Sequence, residues 1–482
     1  MEGTREQLLA ELEEWAVNDA AKVLWLNGMA GTGKTSIAHS FCEWLDKNQI
    51  LGASFFCSRS ASQEVRDASL IIPTITAKLS QASPPLRSAV VQTINKHREV
   101  GSMRTLSKQF HLLLVEPIES IDKTYVVVID ALDECTNLQT VEKLIQAIVQ
   151  FAPDMRLKFM VTSRDTTQIS KAFRHSSQYP PKILPLHDVH RSIVQEDIKT
   201  YLQNSLSEIA RKSEQPLPWP APDELEILLE RSDRLFIYAA TAIRYIGARD
   251  VDFRKRLAHI THLTPARMNT GVIDSLYNDI MRQAFFELQP DEISARRETL
   301  SAVVFLLVPL SLEAITSLSG IDSLEAQVAL APFQSVIHVP TADTSPVTIF
   351  HASFPDFIVD PSRCEEPFRL DQSKCHRSLA VQCLRRLNQT FKRYMTYSSS
   401  HKPNAIPEAL RYSCLHWASH LTHSLAGTLA QTAVTELVSE FVDNHLLHWF
   451  ECLSALGELE SGIKSLDRAY EAISVSIQFD SS

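Results

Sequence analysis

The sequence predicts an α/β fold on a five-stranded parallel sheet, followed by helical modules. Three observations predict it. An apolar run, Val23-Leu24-Trp25-Leu26, leads into G-x-x-x-x-G-K-T from Gly28 to Thr35 and then into a helical pattern. Strand-like and helical stretches alternate through about residue 186, as in a parallel sheet covered by helices on both faces. Beyond that point strand patterns almost cease and helical periodicity dominates.

Taken in order, residues 4–18 predict an amphipathic helix. Thr4 and Gln7 suggest a capping box, and Leu8, Leu9, Leu12, Trp15 and Ala16 share one face. The first strand is expected at 22–27. A helix over 34–47 then buries Ile37, Ala38, Phe41, Trp44 and Leu45, and Ile50–Cys57 is the second strand. Residues 67–116 read as helical with a break at Pro84-Pro85. The third strand, Tyr125–Ile129, ends in Asp130-Ala131-Leu132-Asp133-Glu134, and a helix follows at 138–151. Leu157–Thr162 is the fourth strand and runs into Ser163-Arg164-Asp165. A short helix and a fifth strand near Lys182–Leu186 close the series.

His190–Arg211 reads as a long amphipathic helix and Lys212–Asp223 as a proline-rich linker. Helices resume at 223–231 and 235–247. Arg249, Arg254, Lys255 and Arg256 read as a solvated helical face. Within 297–360, three short helical patterns precede Val336–Val339 and Val347–His351, joined by T-A-D-T-S-P. Three helices and a hairpin are the content of a winged-helix module. Residues 372–475 are helical, with a stripe through Leu410, Cys414, Trp417 and Leu421. No repeat period is visible.

A chain of 482 residues has room for about two to four domains. Its 44% hydrophobic and 22% charged content is that of a globular protein. The net charge of −10 argues against a general nucleic-acid partner. None of the eight cysteines forms a C-x-x-C pair, so buried free thiols in a reducing compartment are expected. Glu2, Arg5, Glu6 and Glu11 break up any signal-peptide core. The apolar runs near Ala302–Leu310 and Leu235–Ala240 are too short to span a bilayer. The expectation is a cytoplasmic protein with no membrane partner, and the sequon at Asn388 is expected to lie inside a helix.

The motifs carry the chemistry. Three of the 12 glycines, Gly28, Gly31 and Gly33, fall within six residues, where the backbone must turn sharply and approach a ligand closely. A strand, such a loop and a helix N-terminus make a nest of N–H donors for phosphate. The motif assigns phosphate binding to Gly28, Gly31, Thr32, Gly33, Lys34, Thr35 and Ser36. Lys34 reaches the β/γ-phosphates and Thr35 holds Mg²⁺. Asp130 follows four apolar β residues, as a Walker-B aspartate does, and is the second Mg²⁺ group. Glu134 is the favoured group to orient or deprotonate the attacking water, with Asp133 as a further acid in the metal shell. The alternative for both is a solvated acidic turn. Arg164, at the C-terminal end of the fourth strand, is placed to read a γ-phosphate or neutralise transition-state charge, or else serves as a salt-bridge or helix-cap partner.

G-M-A-G-T-G-K-T, V-V-V-I-D-A-L-D-E and F-M-V-T-S-R-D together resemble the NACHT branch of the STAND signal-transduction NTPases. W-L-N-G-M-A-G-T-G-K-T and F-H-A-S-F-P-D-F resemble fungal NACHT proteins, whose P-loop region is described as nephrocystin-like. The resemblance runs from about residue 3 to about residue 460. It implies an N-terminal helix at 1–20, a nucleotide-binding domain at 21–187, a helical domain at 188–290, a winged-helix domain at 291–371 and a second helical domain at 372–482. It also implies ATP and ADP as ligands with Mg²⁺, an ADP-bound closed state, and an ATP-bound state that oligomerises with its own kind or related NACHT proteins. His351 matches the winged-helix histidine that contacts the ADP β-phosphate in related proteins. Leu235-Phe236-Ile237-Tyr238 matches the segment packed near adenine, which gives Phe236 a nucleotide-binding role; Arg234 stands where the family has glycine. Relatives usually carry an N-terminal effector segment and C-terminal repeats, and neither is visible in this chain. The expected function is a nucleotide-controlled switch with slow Mg-dependent ATP hydrolysis, in NLR-like signalling. The alternatives are a non-signalling P-loop ATPase or kinase, and a nucleotide-bound scaffold without turnover. ATP over GTP rests on the resemblance, since no N-K-x-D motif is present.

Overall fold

In the computed structural model of the chain, residues 3–59, 65–98, 105–174, 180–189, 191–213, 219–248, 251–262, 271–340, 345–393, 406–424 and 432–480 are described. They divide into two compact units, Met1–Thr264 and Pro265–Ser482. Of the sequence expectations, Arg249, linker residues 214–218 and hairpin-turn residues 341–344 lie outside the described residues.

The first unit is an α/β layer structure. Helix α1 (Glu6–Val17) precedes β1 (Val23–Asn27), α2 (Lys34–Lys47) and β2 (Leu51–Phe56). Helices α3 (Ile71–Ala82) and α4 (Pro84–Lys96) follow. The break at Pro84-Pro85 is the first turn of α4, where proline is tolerated because the first N–H groups of a helix lack partners. Helix α5 (Leu106–Phe110) passes through a π-helical turn into α6 (Glu116–Ile118). Then come β3 (Tyr125–Asp130), α7 (Leu138–Phe151), β4 (Leu157–Ser163), α8 (Thr167–Arg174) and β5 (Lys182–Pro185). Asn137 caps α7 by accepting from the N–H groups of Gln139 and Thr140.

The five strands are parallel in the order β2-β3-β4-β1-β5. Alternation along each strand builds two cores. Trp25, Val127, Ile129, Phe159 and Val161 face the layer that contains α3 and α7. Leu24, Leu26, Val126, Val128 and Met160 face α1 and α2, against Trp15, Phe41 and Leu45. Because both faces are covered, the central strands read as continuous apolar runs. The order β3-β4-β1 places β4 between the phosphate-loop strand and the acidic strand. It was not legible from the sequence, because periodicity carries no pairing information.

The unit continues through α9 (Arg191–Lys212), α10 (Pro222–Ser232), α11 (Phe236–Ile246) and α12 (Phe253–His262). Arg254 and Lys255 are exposed, as expected of a solvated face. Arg256 departs from it: its guanidinium lies 4.2 Å over the Tyr245 ring and donates to the Tyr245 carbonyl.

The second unit is mainly helical. Helix α13 (Val272–Ala284) precedes α14 (Pro290–Phe305), α15 (Leu312–Ser319) and α16 (Ser323–Leu330). Strands β6 (Ile337–His338) and β7 (Thr348–Ile349) form an antiparallel pair, followed by α17 (Ser353–Val359). The three helices and hairpin expected from the sequence occur in that order, with strands only two residues long. Helices α18 (Gln372–Arg393), α19 (Glu408–Ser424), α20 (Thr432–Leu456) and α21 (Leu459–Asp480) complete the chain. Trp417, Phe441 and Trp449 meet edge-on or tilted at 5.1–6.1 Å in their core. Asn388 lies inside α18, buried, and donates to the Leu437 carbonyl and Glu440.

One local expectation is corrected. The capping box at Thr4 and Gln7 does not form; α1 begins after Arg5, which has φ 58° and makes no side-chain cap. Longer-range contacts hold Arg5 instead. Its N–H donates to Asp197 Oδ1 at 3.0 Å and its Nη2 to the Thr32 carbonyl at 3.1 Å.

Candidate nucleotide site

Strand register brings the motifs to one edge. Asn27 pairs with Ser163, Ile129 with Val161, and Phe56 with Asp130. The ends of β1, β2, β3 and β4 are therefore level, and Gly28–Thr35, Asp130–Glu134 and Arg164 emerge side by side. This is the carboxyl edge of an open parallel sheet, where such folds bind ligands.

The loop leaves β1 with the Gly28 N–H directed at the Ser163 carbonyl, 3.4 Å away. Gly31 and Gly33 have φ of +79° and +93°, conformations that L side chains rarely adopt. Gly33 is the N-cap of α2, so the first turn of that helix aims its N–H groups into the loop. Lys34 folds across the loop and donates to the Gly28 and Met29 carbonyls at 2.7 and 2.9 Å. Burial lowers its pKa, and Asp133 is the largest opposing influence. Thr32 Oγ1 donates to the Met29 carbonyl at 2.9 Å, while Ser36 is exposed on the first turn of α2.

Thr35 and Asp130 meet directly: Thr35 Oγ1 donates to Asp130 Oδ2 at 2.7 Å. Thr162 Oγ1 donates to the other carboxylate oxygen at 2.5 Å and accepts from the Ala131 N–H at 2.9 Å. Asp130 is 1% exposed. Burial raises its pKa, and the two hydroxyl hydrogen bonds oppose the rise without cancelling it. A hydroxyl and a buried carboxylate beside a phosphate nest are the donor set for Mg²⁺, a hard cation that prefers oxygen and keeps waters. The residues thus fit the metal that the motif implies.

The other two acids are already engaged. Asp133 Oδ1 accepts from the Arg164 N–H at 2.9 Å, and its Oδ2 lies 3.2 Å from Arg164 Nε. Glu134 Oε2 accepts from the Arg59 N–H at 3.0 Å. Burial is the main cause raising the Glu134 pKa, which the Arg59 bond opposes. Asp133 therefore holds Arg164, and Glu134 is the acid not paired with that arginine.

Phe236 and its neighbours stand against the loop. The Ile237 N–H donates to the Gly31 carbonyl at 3.1 Å, and Arg5 lies 4.9 Å over the Phe236 ring. Arg5 is 8% exposed, and its Nε and Nη1 have no hydrogen-bond partner among the described residues. Asn27 Oδ1, at the last residue before the loop, is likewise buried without one. Arg5 Nε faces Asp197 Oδ2 at 3.8 Å as an ion pair. His351 is part of the second unit. Its Nδ1 lies 2.7 Å from Ser353 Oγ and accepts from the Ser353 N–H at 3.1 Å, at the start of α17.

Sequence reasoning missed Thr162, Arg5 and the Arg59 N–H. Thr162 carried a signal, since it lies in V-T-S-R-D and alternates with Arg164. Arg5 and Arg59 carried none, because a backbone donor and a distant guanidinium leave no spacing pattern.

A phosphate nest after β1, a hydroxyl–carboxylate pair bridging α2 and β3, and a basic end of β4 define a P-loop nucleotide-binding domain. Residues 3–164 match the family described as Nephrocystin 3, N-terminal, in keeping with the nephrocystin-like P-loop region expected of fungal NACHT proteins. Over 502 aligned residues and 95% of its length, the chain is 22% identical to the Vegetative incompatibility protein HET-E-1 of Podospora anserina. It spans 35% of that protein's length. Two solved structures give weaker likenesses. The STAND protein with a tetratricopeptide repeat sensor from Pyrococcus horikoshii is 11% identical, with 97% of this chain and 63% of that one covered and a TM-score of 0.41. Cdc6p from Pyrobaculum aerophilum is 11% identical, with 72% and 89% covered and a TM-score of 0.34. Among the described residues no helix is long and apolar enough to cross a membrane.

The buried acid makes a testable statement about stability. The folded-state pKa of Asp130 is raised above its unfolded value. Its contribution to stability is therefore full below the unfolded value and lost as pH rises through the folded one. Ligand-free Asp130→Asn is expected to melt above the wild type at neutral pH, with the difference shrinking toward acid pH. The same variant is expected to lose the Mg²⁺ dependence of nucleotide binding. Thermal melts from about pH 4 to about pH 8, with and without Mg²⁺ and nucleotide, check both.

Proposed function

We propose that the chain is a Mg-dependent ATP/ADP switch of NLR-like signalling, cytoplasmic, with slow hydrolysis and ATP-promoted assembly with itself or related NACHT chains. The observation that carries this reading is the 2.7 Å contact between Thr35 and Asp130. It joins the phosphate loop to the acidic strand at the place a nucleotide-bound cation would take. Bound Mg²⁺ would supply charge neutralisation at the terminal phosphates. The chain's own groups do the rest. The loop N–H groups and Lys34 bind phosphate, and Glu134 accepts the proton of the attacking water. Arg164, held by Asp133, faces the transferred phosphate, and Phe236 packs near the base. The five-part division at residues 20, 187, 290 and 371 is part of the same reading.

A switch needs a group that distinguishes ADP from ATP, because a ligand with equal affinity for two states shifts neither. His351 is assigned that role. His351→Ala is expected to narrow the ratio of ADP to ATP affinity by about tenfold, within the 5–150-fold range of typical coupling. The substitution also removes a hydrogen bond at the start of α17. Ser353→Ala, which keeps the imidazole, is the control and is expected to leave the ratio unchanged. Equilibrium dialysis with both nucleotides measures it, and an unchanged ratio in His351→Ala removes the histidine from the mechanism.

A further inference from the structure

Two thiols stand at the acidic turn and take no part in the chemistry described above. Cys57 is the first residue after β2 and Cys135 directly follows Glu134. Their Sγ atoms are 3.4 Å apart, and both side chains are buried. The two segments run alongside one another. The Cys57 N–H donates to the Asp130 carbonyl at 3.0 Å, and two residues later the Arg59 N–H donates to Glu134 Oε2. The Thr136 N–H donates to the Arg66 carbonyl at 3.0 Å. A covalent link between the sulfurs would join the two backbone segments that the Arg59–Glu134 hydrogen bond bridges.

We propose that Cys57 and Cys135 form a reversible disulfide that ties the acidic turn to the end of β2 and keeps Glu134 against Arg59. The effect on turnover rests on the reading of Glu134 given above; the linkage itself does not. The oxidant is a peroxide. One thiolate attacks the O–O bond of hydrogen peroxide, giving a sulfenic acid and hydroxide, which takes up a proton as water. The second sulfur attacks the sulfenic sulfur, its proton leaves with the sulfenic hydroxyl as a second water, and the S–S bond forms. Two thiols and one peroxide thus give one disulfide and two waters. A dithiol reverses the step by exchange. The sulfurs must close from 3.4 Å to about 2.05 Å. Hydrogen bonding to Cys135 and burial hold the Cys57 thiol well above its usual range.

Cys414 and Cys452 provide an internal reference. They are also neighbouring thiols, but each lies within a helix, α19 and α20. The test treats the full chain with graded hydrogen peroxide, caps remaining thiols with N-ethylmaleimide, and maps non-reduced peptides by mass. The expected result is a Cys57–Cys135 linked peptide that disappears with dithiothreitol. Oxidised protein is expected to keep Mg-ATP binding and lose turnover by about 10²-fold or more, the contribution of a positioned base. Cys57→Ser and Cys135→Ser are expected to be insensitive to peroxide. Recovery of Cys57 and Cys135 as capped thiols at every peroxide level overturns the disulfide, whether or not the serine variants fold. A linked peptide with unchanged turnover overturns the lock on Glu134. If the reduced chain has no turnover, the hydrolysis reading fails, and the linked peptide still decides the disulfide.

Discussion

Glu134→Gln is expected to lower steady-state ATP hydrolysis by about 10²–10⁴-fold while Mg-ATP affinity stays near that of the wild type. The loss follows from what Glu134 touches. Asp130 is occupied by Thr35 and Thr162, and Asp133 by Arg164. Among the described residues Glu134 is tied through one oxygen to the Arg59 N–H, so an amide of the same shape keeps that bond and loses the proton acceptor. Burial raises its pKa, which suits a base that must take and release a proton near neutral pH. The acid limb of the turnover–pH profile is accordingly expected above the ordinary glutamate range. Phosphate release at saturating ATP, with nucleotide Kd measured in parallel, separates chemistry from binding. Equal loss of both would place Glu134 in the binding site instead.

Gly31→Ala is expected to destabilise the first unit by about 2–5 kcal/mol, combining a left-handed backbone with overpacking. A Cβ at Gly31 would stand 2.1 Å from Ile237 Cγ2 and 2.7 Å from Ile237 Cβ. Rotating the isoleucine cannot relieve the second contact, and the Ile237 N–H is bonded to the Gly31 carbonyl. Gly33→Ala is the matched comparison. Its φ is +93° but its Cβ would meet nothing within 4 Å, so it loses only the backbone part, about 1–2 kcal/mol. Adding Ile237→Ala to Gly31→Ala removes the Cγ2 contact but keeps the Cβ one, so it is expected to recover only part of the packing loss, a coupling between residues in contact. Urea melts of these three variants and of Ile237→Ala alone decide this. Equal destabilisation by Gly31→Ala and Gly33→Ala would mean that α11 is not clamped to the loop.

Much of the first unit was legible because local and global signals agree there. The α2 and α7 boundaries follow apolar periods, a glycine N-cap and an asparagine N-cap, all of which are local. The phosphate loop and Asp130 were legible for the same reason, since fixed spacing next to an apolar strand is a local signal. What was not legible depends on contacts distant in sequence. Sheet order places Thr162 under Asp130, 32 residues away. Arg5 reaches Thr32 across 27 residues and Asp197 across 192, and this overrides the capping box that its neighbours spell. The pairing of Asp133 with Arg164 across 31 residues likewise separates two adjacent acids that the sequence left alike.

The central claim is that bound nucleotide sets the state of the chain. It is tested most directly by identifying the nucleotide that co-purifies and measuring particle mass before and after exchange to Mg-ATP. The switch predicts retained ADP in a monomer that converts to a larger assembly with ATP and fails to convert when Lys34 is replaced by Ala. A chain that purifies without nucleotide and keeps one mass in ADP and in ATP would contradict it.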